Sequence, residues 1–237
     1  MASVYRRILL KLSGEALGGE EGLFDHGHIS RVAEVISQIR DMGVQVGVVV
    51  GAGNIWRGRQ GPTAQIDPVI ADQMGMLATA INCLCVKDAL LRLGVRAEVL
   101  SAVDMHRFAQ SYNTSSAITK MEEGYVLLFA CGTGNPFFST DTAVVLRAIE
   151  LKADAVLMAK NIDGVYDADP KKVSGAKLIR DISYEKAQAM GLKVMDAAAF
   201  SLCRENSVPM VRLFGLDQPE NILKVLHGEN LGTFVHP

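Results

Sequence analysis

The stretch Val44-Gln45-Val46-Gly47-Val48-Val49-Val50, running without a break into Gly51-Ala52-Gly53-Asn54, decides the fold. Its near-continuous apolar run, rich in valine and without polar alternation, describes a strand covered on both faces. Strands of that kind belong to parallel sheets between helical layers. The glycines that follow mark a sharp turn at the carboxyl end of the strand, where open α/β sheets hold their ligands.

The same grammar extends in both directions. Upstream, Ile29, Val32, Val35, Ile36, Ile39 and Met42 recur at helical spacing, Gly43 stops that helix, and Ile8–Leu12 reads as an earlier strand. Downstream, Asp67-Pro68 looks like an N-cap with proline at the first helical position, opening a long helix to Leu93 that Gly94 stops. Further strands are expected at Ala97–Leu100, Tyr125–Ala130, Ala155–Ala159 and Val208–Phe214, with Thr233–Val235 as an edge strand. Helices are expected at Ala117–Glu123, Ser139–Lys152, Ser183–Met190, Ala197–Asn206 and Pro219–Leu226. Ile162–Pro170 is turn-rich and reads as a small hairpin or an irregular loop. Alternating strands and helices imply right-handed crossovers, hence an α/β three-layer αβα sandwich around a mostly parallel central sheet of about eight strands. No repeat or linker interrupts the pattern, so residues 1–237 read as a single domain.

Composition agrees with an ordinary globular protein rather than a disordered one: 49% of the residues are hydrophobic and 21% charged. A net charge of −2 argues against a nucleic-acid binder that relies on a general positive field, while leaving room for a local basic cluster around a small anion. The four cysteines, Cys83, Cys85, Cys131 and Cys203, form no C-x-x-C pair and no zinc ligand set, so they read as free thiols of a reducing compartment. Met1–Arg7 lacks the apolar stretch of a signal peptide, and no run approaches the roughly 18 apolar residues of a membrane span. The expectation is a cytoplasmic protein that needs neither membrane nor nucleic acid.

Three strand ends carry glycine and polar residues together. They are Lys11-Leu12-Ser13-Gly14, Gly51-Ala52-Gly53-Asn54 and Gly132-Thr133-Gly134-Asn135. Glycine lets backbone N–H groups turn toward an anion at close range. The third loop also feeds the helix that starts near Ser139, whose free N–H groups and dipole favour phosphate. Lys11, Arg57, Arg59 and Lys160 add positive charge beside these loops. The P-loop pattern is absent, and Trp56 stands where a dinucleotide fingerprint has its third glycine. The five histidines lie away from the glycine loops, and no nucleophile–base pair is apparent. A phosphate acceptor explains that lack. Its second pKa is about 6, so it is already largely deprotonated at neutral pH. Catalysis then reduces to in-line positioning and charge neutralisation.

At this point the motifs resemble those of the bacterial uridylate (UMP) kinases of the amino-acid kinase superfamily. They are Lys11–Leu17, Gly51–Gly58, Asp72–Thr79, Gly132–Asp141, Asp163–Pro170 and Lys193–Asp196, in that order. The resemblance runs from about Arg7 to Phe234, and the Asp72–Thr79 and Gly132–Asp141 blocks carry most of its specificity. It implies the amino-acid kinase fold, with an N-terminal acceptor side and a C-terminal ATP side, and the reaction ATP + UMP → ADP + UDP with Mg²⁺, a step of pyrimidine nucleotide biosynthesis. Carried over by position, Lys11 and Arg57 are the catalytic residues. Lys11, Leu12, Ser13, Gly14, Gly53, Arg57, Lys160, Asn161, Tyr166 and Asp169 bound ATP. Ala52, Asp72, Thr133, Gly134, Asn135, Pro136, Phe137, Phe138, Ser139 and Thr140 bound UMP. No protein-held metal is implied. The family also implies a homohexamer activated by GTP and inhibited by UTP, and Gly19, Glu20, Glu21, Gly22, Leu23 and Phe24 fall on its GTP-responsive loop.

Physical reading of single residues leaves some roles open. Phe137 and Phe138 pack near the ligand or fill core, and Tyr166 lies against adenine or is a turn tyrosine. Either Lys160 or Asn161 meets the phosphates. Asp163 and Asp167 read as turn residues. Ser139 or Thr140 reads as the N-cap of the helix that begins there, with Asp141 in its first turn, and capping is also the reading of the Asp141 and Asp196 carboxylates. Ala52 replaces a glycine common in relatives, so its loop is expected to adopt negative φ or carry slight strain. A carboxylate or carbamate kinase of the same superfamily, or a nucleotide-binding regulator without turnover, are the competing readings.

Overall fold

A computed structural model describes residues 5–19, 22–58, 65–160, 162–168, 170, 172–192 and 195–237. The chain opens with β1 (Arg7–Leu12), a 3-10 turn (Gly14–Leu17), α1 (His26–Asp41) and β2 (Gln45–Val50). The long α2 (Pro68–Arg92) leads to β3 (Ala97–Ser101), the two-residue β4 (Gln110–Ser111) and α3 (Thr114–Glu122). Then come β5 (Val126–Ala130), α4 (Thr140–Glu150) and β6 (Ala155–Lys160). A small ribbon follows, β7 (Val165–Tyr166) against β8 (Leu178–Ile179), and then β9 (Asp181–Ser183), α5 (Tyr184–Ala189) and α6 (Ala197–Glu205). The chain ends with β10 (Val211–Gly215), α7 (Asn221–Leu226) and β11 (Thr233–His236).

Nine strands form the main sheet in the order β4-β3-β5-β2-β1-β6-β10-β11-β9. Every pairing is parallel except β10 with β11. The valine-rich β2 lies between β1 and β5, and its residues from Val46 to Val50 are buried, as its composition required. Two expectations need correction. The sheet has nine strands, because β4 and β9 are too short to be read from periodicity. The Thr233 strand is not at the edge, since β9 pairs along its outer side.

Helix starts follow local chemistry. The carboxylate of Asp67 accepts from the Val69 and Ile70 N–H groups ahead of α2, with Pro68 at its first position. Asn113, Ser183 and Asp196 cap α3, α5 and α6 in the same way. Two apolar cores sandwich the sheet. Ile8, Leu10 and Leu12 of β1 pack into one, with α1, α2 and α7, and Leu9 packs into the other with α4 and α6. In β6, Val156 and Met158 share the α4 side. This period of two determines where both strands deliver their last side chains. Lys11 follows Leu9, and Lys160 follows Met158, toward the first turn of α4.

The helix α2 is long and apolar enough, by length and composition alone, to cross a membrane. Here its Cys83, Val86 and Leu90 face belongs to the core. Ile70, Met74, Leu77, Ile81 and Leu84 form an apolar stripe on its exposed side.

Candidate nucleotide site

Three glycine-bearing strand ends converge above the middle of the sheet. The Gly51 N–H donates to the Leu12 carbonyl at 2.9 Å, and the Ser13 N–H to the Ala159 carbonyl at 3.2 Å. Gly14 is required by close approach: a Cβ there would lie 2.3 Å from the Gly51 oxygen and 2.6 Å from the Gly53 nitrogen. Ala52 is not among the residues of positive φ, so its loop takes the negative-φ geometry that a methyl group demands. Positive φ falls instead on Cys131 (63°) and Phe137 (70°), in the third loop. The Thr79 hydroxyl accepts from the Cys131 N–H at 2.8 Å, and the Asp72 carboxylate accepts from the Phe137 N–H at 2.7 Å. Both strained residues of this loop are therefore held by α2.

Lys11 and Lys160 meet on one carboxylate. Asp141, in the first turn of α4, holds the Lys11 ammonium at 3.2 Å on one oxygen and the Lys160 ammonium at 2.8 Å on the other. All three side chains are largely buried. Burial pushes Lys11 below its ordinary value, and Lys160 adds to that, while Asp141 opposes it. Burial acts to raise Asp141, but the two ammonium groups outweigh it and hold the carboxyl below the usual range. The expectation that Asp141 is a helix cap is thereby corrected: Ser139 caps α4, its hydroxyl accepting from the Asp141 N–H at 3.0 Å. Asp196 is a cap as expected, accepting from the Ala199 N–H at 2.8 Å. It also accepts from the hydroxyls of Ser139 and Thr142, which ties the starts of α4 and α6 together.

Two cavities flank this triad. The first, of about 320 Å³, is lined by Ala52, Gly53, Asp72, Thr133, Asn135, Phe138, Ser139 and Thr140, together with Trp56 and Thr79 of the same motifs. The second, of about 830 Å³, is lined by Lys160 and Asp163, by Gly215–Gln218 after β10, and by Arg180, Asn221 and Lys224. Thr140 on the first cavity adjoins Asp141, and Lys160 lines the second, so the Asp141–Lys160 ion pair links the two walls, although Lys11 and Asp141 themselves line neither cavity.

Not every residue expected at the site lines a cavity. Gly134, Pro136 and Phe137 do not line the first, although Phe137 reaches Asp72 through its backbone. Lys11, Leu12, Ser13, Gly14 and Tyr166 do not line the second; Tyr166 donates its hydroxyl to Asp163 at 3.1 Å. Arg57 lies beside Gly53, but its side chain is 68% exposed and its guanidinium pairs with Glu15 at 3.5 Å. Phe137 and Phe138 are exposed, so the core-filling alternative is corrected. Asp167 accepts from the Lys177 N–H at 2.7 Å, a turn role as expected. Asn161 and Asp169, like Glu20, Glu21, Arg59, Lys193 and Val194, lie outside the described residues. Gly19 and Gly22 form a short bridge, and the Leu23 carbonyl accepts from the Asn54 amide at 2.9 Å.

Sequence reasoning missed several lining groups. Trp56, whose indole N–H is buried without an acceptor among the described residues, was noted only for the glycine it displaces. His28, on the first turn of α1, lies away from the glycine loops as expected but lines the second cavity. The late-strand end at Gly215–Gln218 offered no glycine cluster to find. Among the described residues no group of three or more His, Cys, Asp or Glu side chains is placed to ligate a metal. Both Asp141 oxygens already hold lysines. The two ammonium groups on Asp141 give this part of the site a chemistry suited to anionic phosphates.

Comparisons with known proteins bear on the family and the fold. Residues 6–211 match the amino acid kinase family. A curated uridylate kinase of Porphyromonas gingivalis is 48% identical over 234 residues, which cover 98% of each chain. The crystal structure of a UMP kinase from Ureaplasma parvum superposes with a TM-score of 0.92 at 37% identity, covering 98% of this chain and 99% of that one. That of the UMP kinase from Bacillus anthracis superposes with a TM-score of 0.93 at 35% identity, covering 98% and 96%.

Proposed function

The chain belongs to the amino acid kinase family, and we propose that its reaction is the transfer of a phosphoryl group from ATP to UMP. The observation that carries this reading is the Lys11–Asp141–Lys160 triad, whose Asp141–Lys160 pair links the walls of two cavities. Charge passes from donor to acceptor in phosphoryl transfer, and two buried ammonium groups neutralise it there. The 320 Å³ cavity takes UMP. Asp72 accepts from the ribose hydroxyls, Thr133 and Asn135 read the uracil edge, and Ala52 with the start of α4 receives the phosphate. A site with fixed partners for one base leaves them unpaired against another, which disfavours CMP and AMP. The larger cavity takes the donor nucleotide, with Lys160 toward its phosphates and Arg57 moving to them from Glu15.

The acceptor phosphate attacks without a general base, since it is largely deprotonated at neutral pH. Asp141 touches neither substrate. It keeps Lys11 charged against the burial that depresses it, and it aims both ammonium groups at one place. A divalent cation such as Mg²⁺, carried by the ATP phosphates, would add to the charge neutralisation that Lys11 and Lys160 supply. A cytoplasmic homohexamer serving pyrimidine nucleotide synthesis, activated by GTP and inhibited by UTP, completes the reading by likeness to the family.

An assay of purified protein with ATP, Mg²⁺ and UMP tests it. UDP and ADP should form in equal amounts, and EDTA should stop both. ADP released with acetylglutamate or aspartate, but not with UMP, would point to another member of the superfamily.

A further inference from the structure

Asn82 lies in the middle of α2 and is fully buried, yet the proposed reaction gives it no part. Its side chain is completely engaged. The amide nitrogen donates to the Gly51 carbonyl at 2.7 Å and to the Asn54 side-chain oxygen at 2.8 Å. The Asn82 oxygen accepts from the Asn54 amide nitrogen at 3.0 Å. Reversing the Asn82 amide would set its oxygen against the Gly51 oxygen, so this network admits one orientation only.

The consequence lies on the other edge of a single peptide. The Gly51 carbonyl and the Ala52 N–H belong to the same planar trans unit and point in opposite directions. With the carbonyl fastened to Asn82, the Ala52 N–H is turned away from Asn82, and Ala52 itself lines the first cavity. Among the described residues that N–H has no hydrogen-bond acceptor. Across the same space stands the start of α4, with the Thr140 hydroxyl 3.7 Å from where a Gly51 Cβ would lie.

We propose that Asn82 is a positioning residue for the acceptor phosphate: it fixes the Gly51–Ala52 peptide so that the Ala52 N–H is presented to that phosphate before any ligand arrives. The proposal rests on the acceptor reading given above. A donor held in place at no reorganisation cost is worth more to binding than one that must be turned. Asn54 ties the same network to the Leu23 carbonyl, so the segment that includes Leu23 is joined to this peptide through two amide side chains.

The test compares UMP with uridine, which lacks only the phosphate. In Asn82→Asp, which keeps the shape but replaces the donor facing Gly51 by an acceptor, and in Asn82→Ala, UMP binding by calorimetry should weaken about tenfold or more, the worth of a hydrogen bond to a charged group. Uridine binding should stay within about twofold, since it does not use this N–H. Equal losses for both ligands, or no loss for either, would overturn the proposal, because a residue that merely supports the loop does not distinguish them. Should both variants fail to fold, a crystal structure of the unmodified chain with UMP decides. The Ala52 nitrogen within about 3.2 Å of a phosphate oxygen, with Gly51 still on Asn82, supports the proposal, and a reversed peptide overturns it. If the unmodified chain fails to bind UMP at all, the acceptor reading falls and takes this inference with it, before any variant is made.

Discussion

Replacing Asp141 by asparagine removes the one negative charge between two lysines and leaves the shape almost unchanged. The Lys11 and Lys160 contacts, at 3.2 and 2.8 Å, are each worth about 5–6 kcal/mol at an effective dielectric of 20. Most of that attraction offsets the desolvation of three charges, and breaking a buried pair from one side costs about 3–5 kcal/mol. A domain is stable by about 5–15 kcal/mol, so Asp141→Asn should still fold but with a urea midpoint far below that of the parent. The pH dependence carries a sign. Lys11 is depressed in the folded state, first by burial, and loses the carboxylate that opposes this. Between its folded and unfolded pKa values the unfolded chain then binds the extra proton, so stability rises with pH there. Urea titrations at neutral and alkaline pH should show Asp141→Asn recovering part of its deficit as pH rises. The parent also has an acid branch. Asp141 is depressed when folded, so its contribution, full above the unfolded value, is lost as pH falls through the folded one. That branch should be weaker in the variant. Turnover should fall about 100-fold or more, the scale of losing preorganised charge at a transition state. An unchanged midpoint, or a deficit that grows with rising pH, would refute the reasoning.

Lys11→Ala should lower kcat about 100-fold with little change in KM, because a charge clamp matters most as charge moves in the transition state; steady-state kinetics showing only a KM effect would assign it to ground-state binding. Asp72→Asn keeps an oxygen for the Phe137 N–H but loses the charge, so UMP binding by calorimetry should weaken roughly tenfold while ATP binding barely moves. Equal losses for the two ligands would count against Asp72 as an acceptor residue. Gly14→Ala places a methyl group 2.3 Å from a backbone oxygen that cannot easily yield, so thermal unfolding should show a loss of about 1–3 kcal/mol or more, together with lost turnover. A normal melting temperature there would mean that the two loops are not in contact.

Much of this is legible in the sequence. The burial of β2, the Asp67-Pro68 helix start and the converging glycine loops are local chemistry, and local chemistry shows in sequence. Lys11 and Lys160 were singled out by their position at strand ends, and both reach Asp141. Asp141 was misread because its place in a first helical turn is a local fact, whereas its two lysines arrive from β1 and β6, far away along the chain. The short strands β4 and β9 have too few residues to show a period. The cavity walls contributed by His28 and Gly215–Gln218 depend on how α1 and β10 pack, which no motif encodes. Positive φ at Cys131 and Phe137 was equally out of reach, since neither residue type announces it.

The most direct test of the central claim is a competition. The purified chain would be given ATP, Mg²⁺ and equal concentrations of UMP, CMP, AMP and acetylglutamate in one vessel, with products followed by ³¹P NMR. We expect the diphosphate signals of UDP and ADP to grow together while the other acceptors remain unphosphorylated. A new CDP signal of equal size, or an acyl phosphate appearing while UMP is untouched, would contradict the assignment of the smaller cavity to UMP.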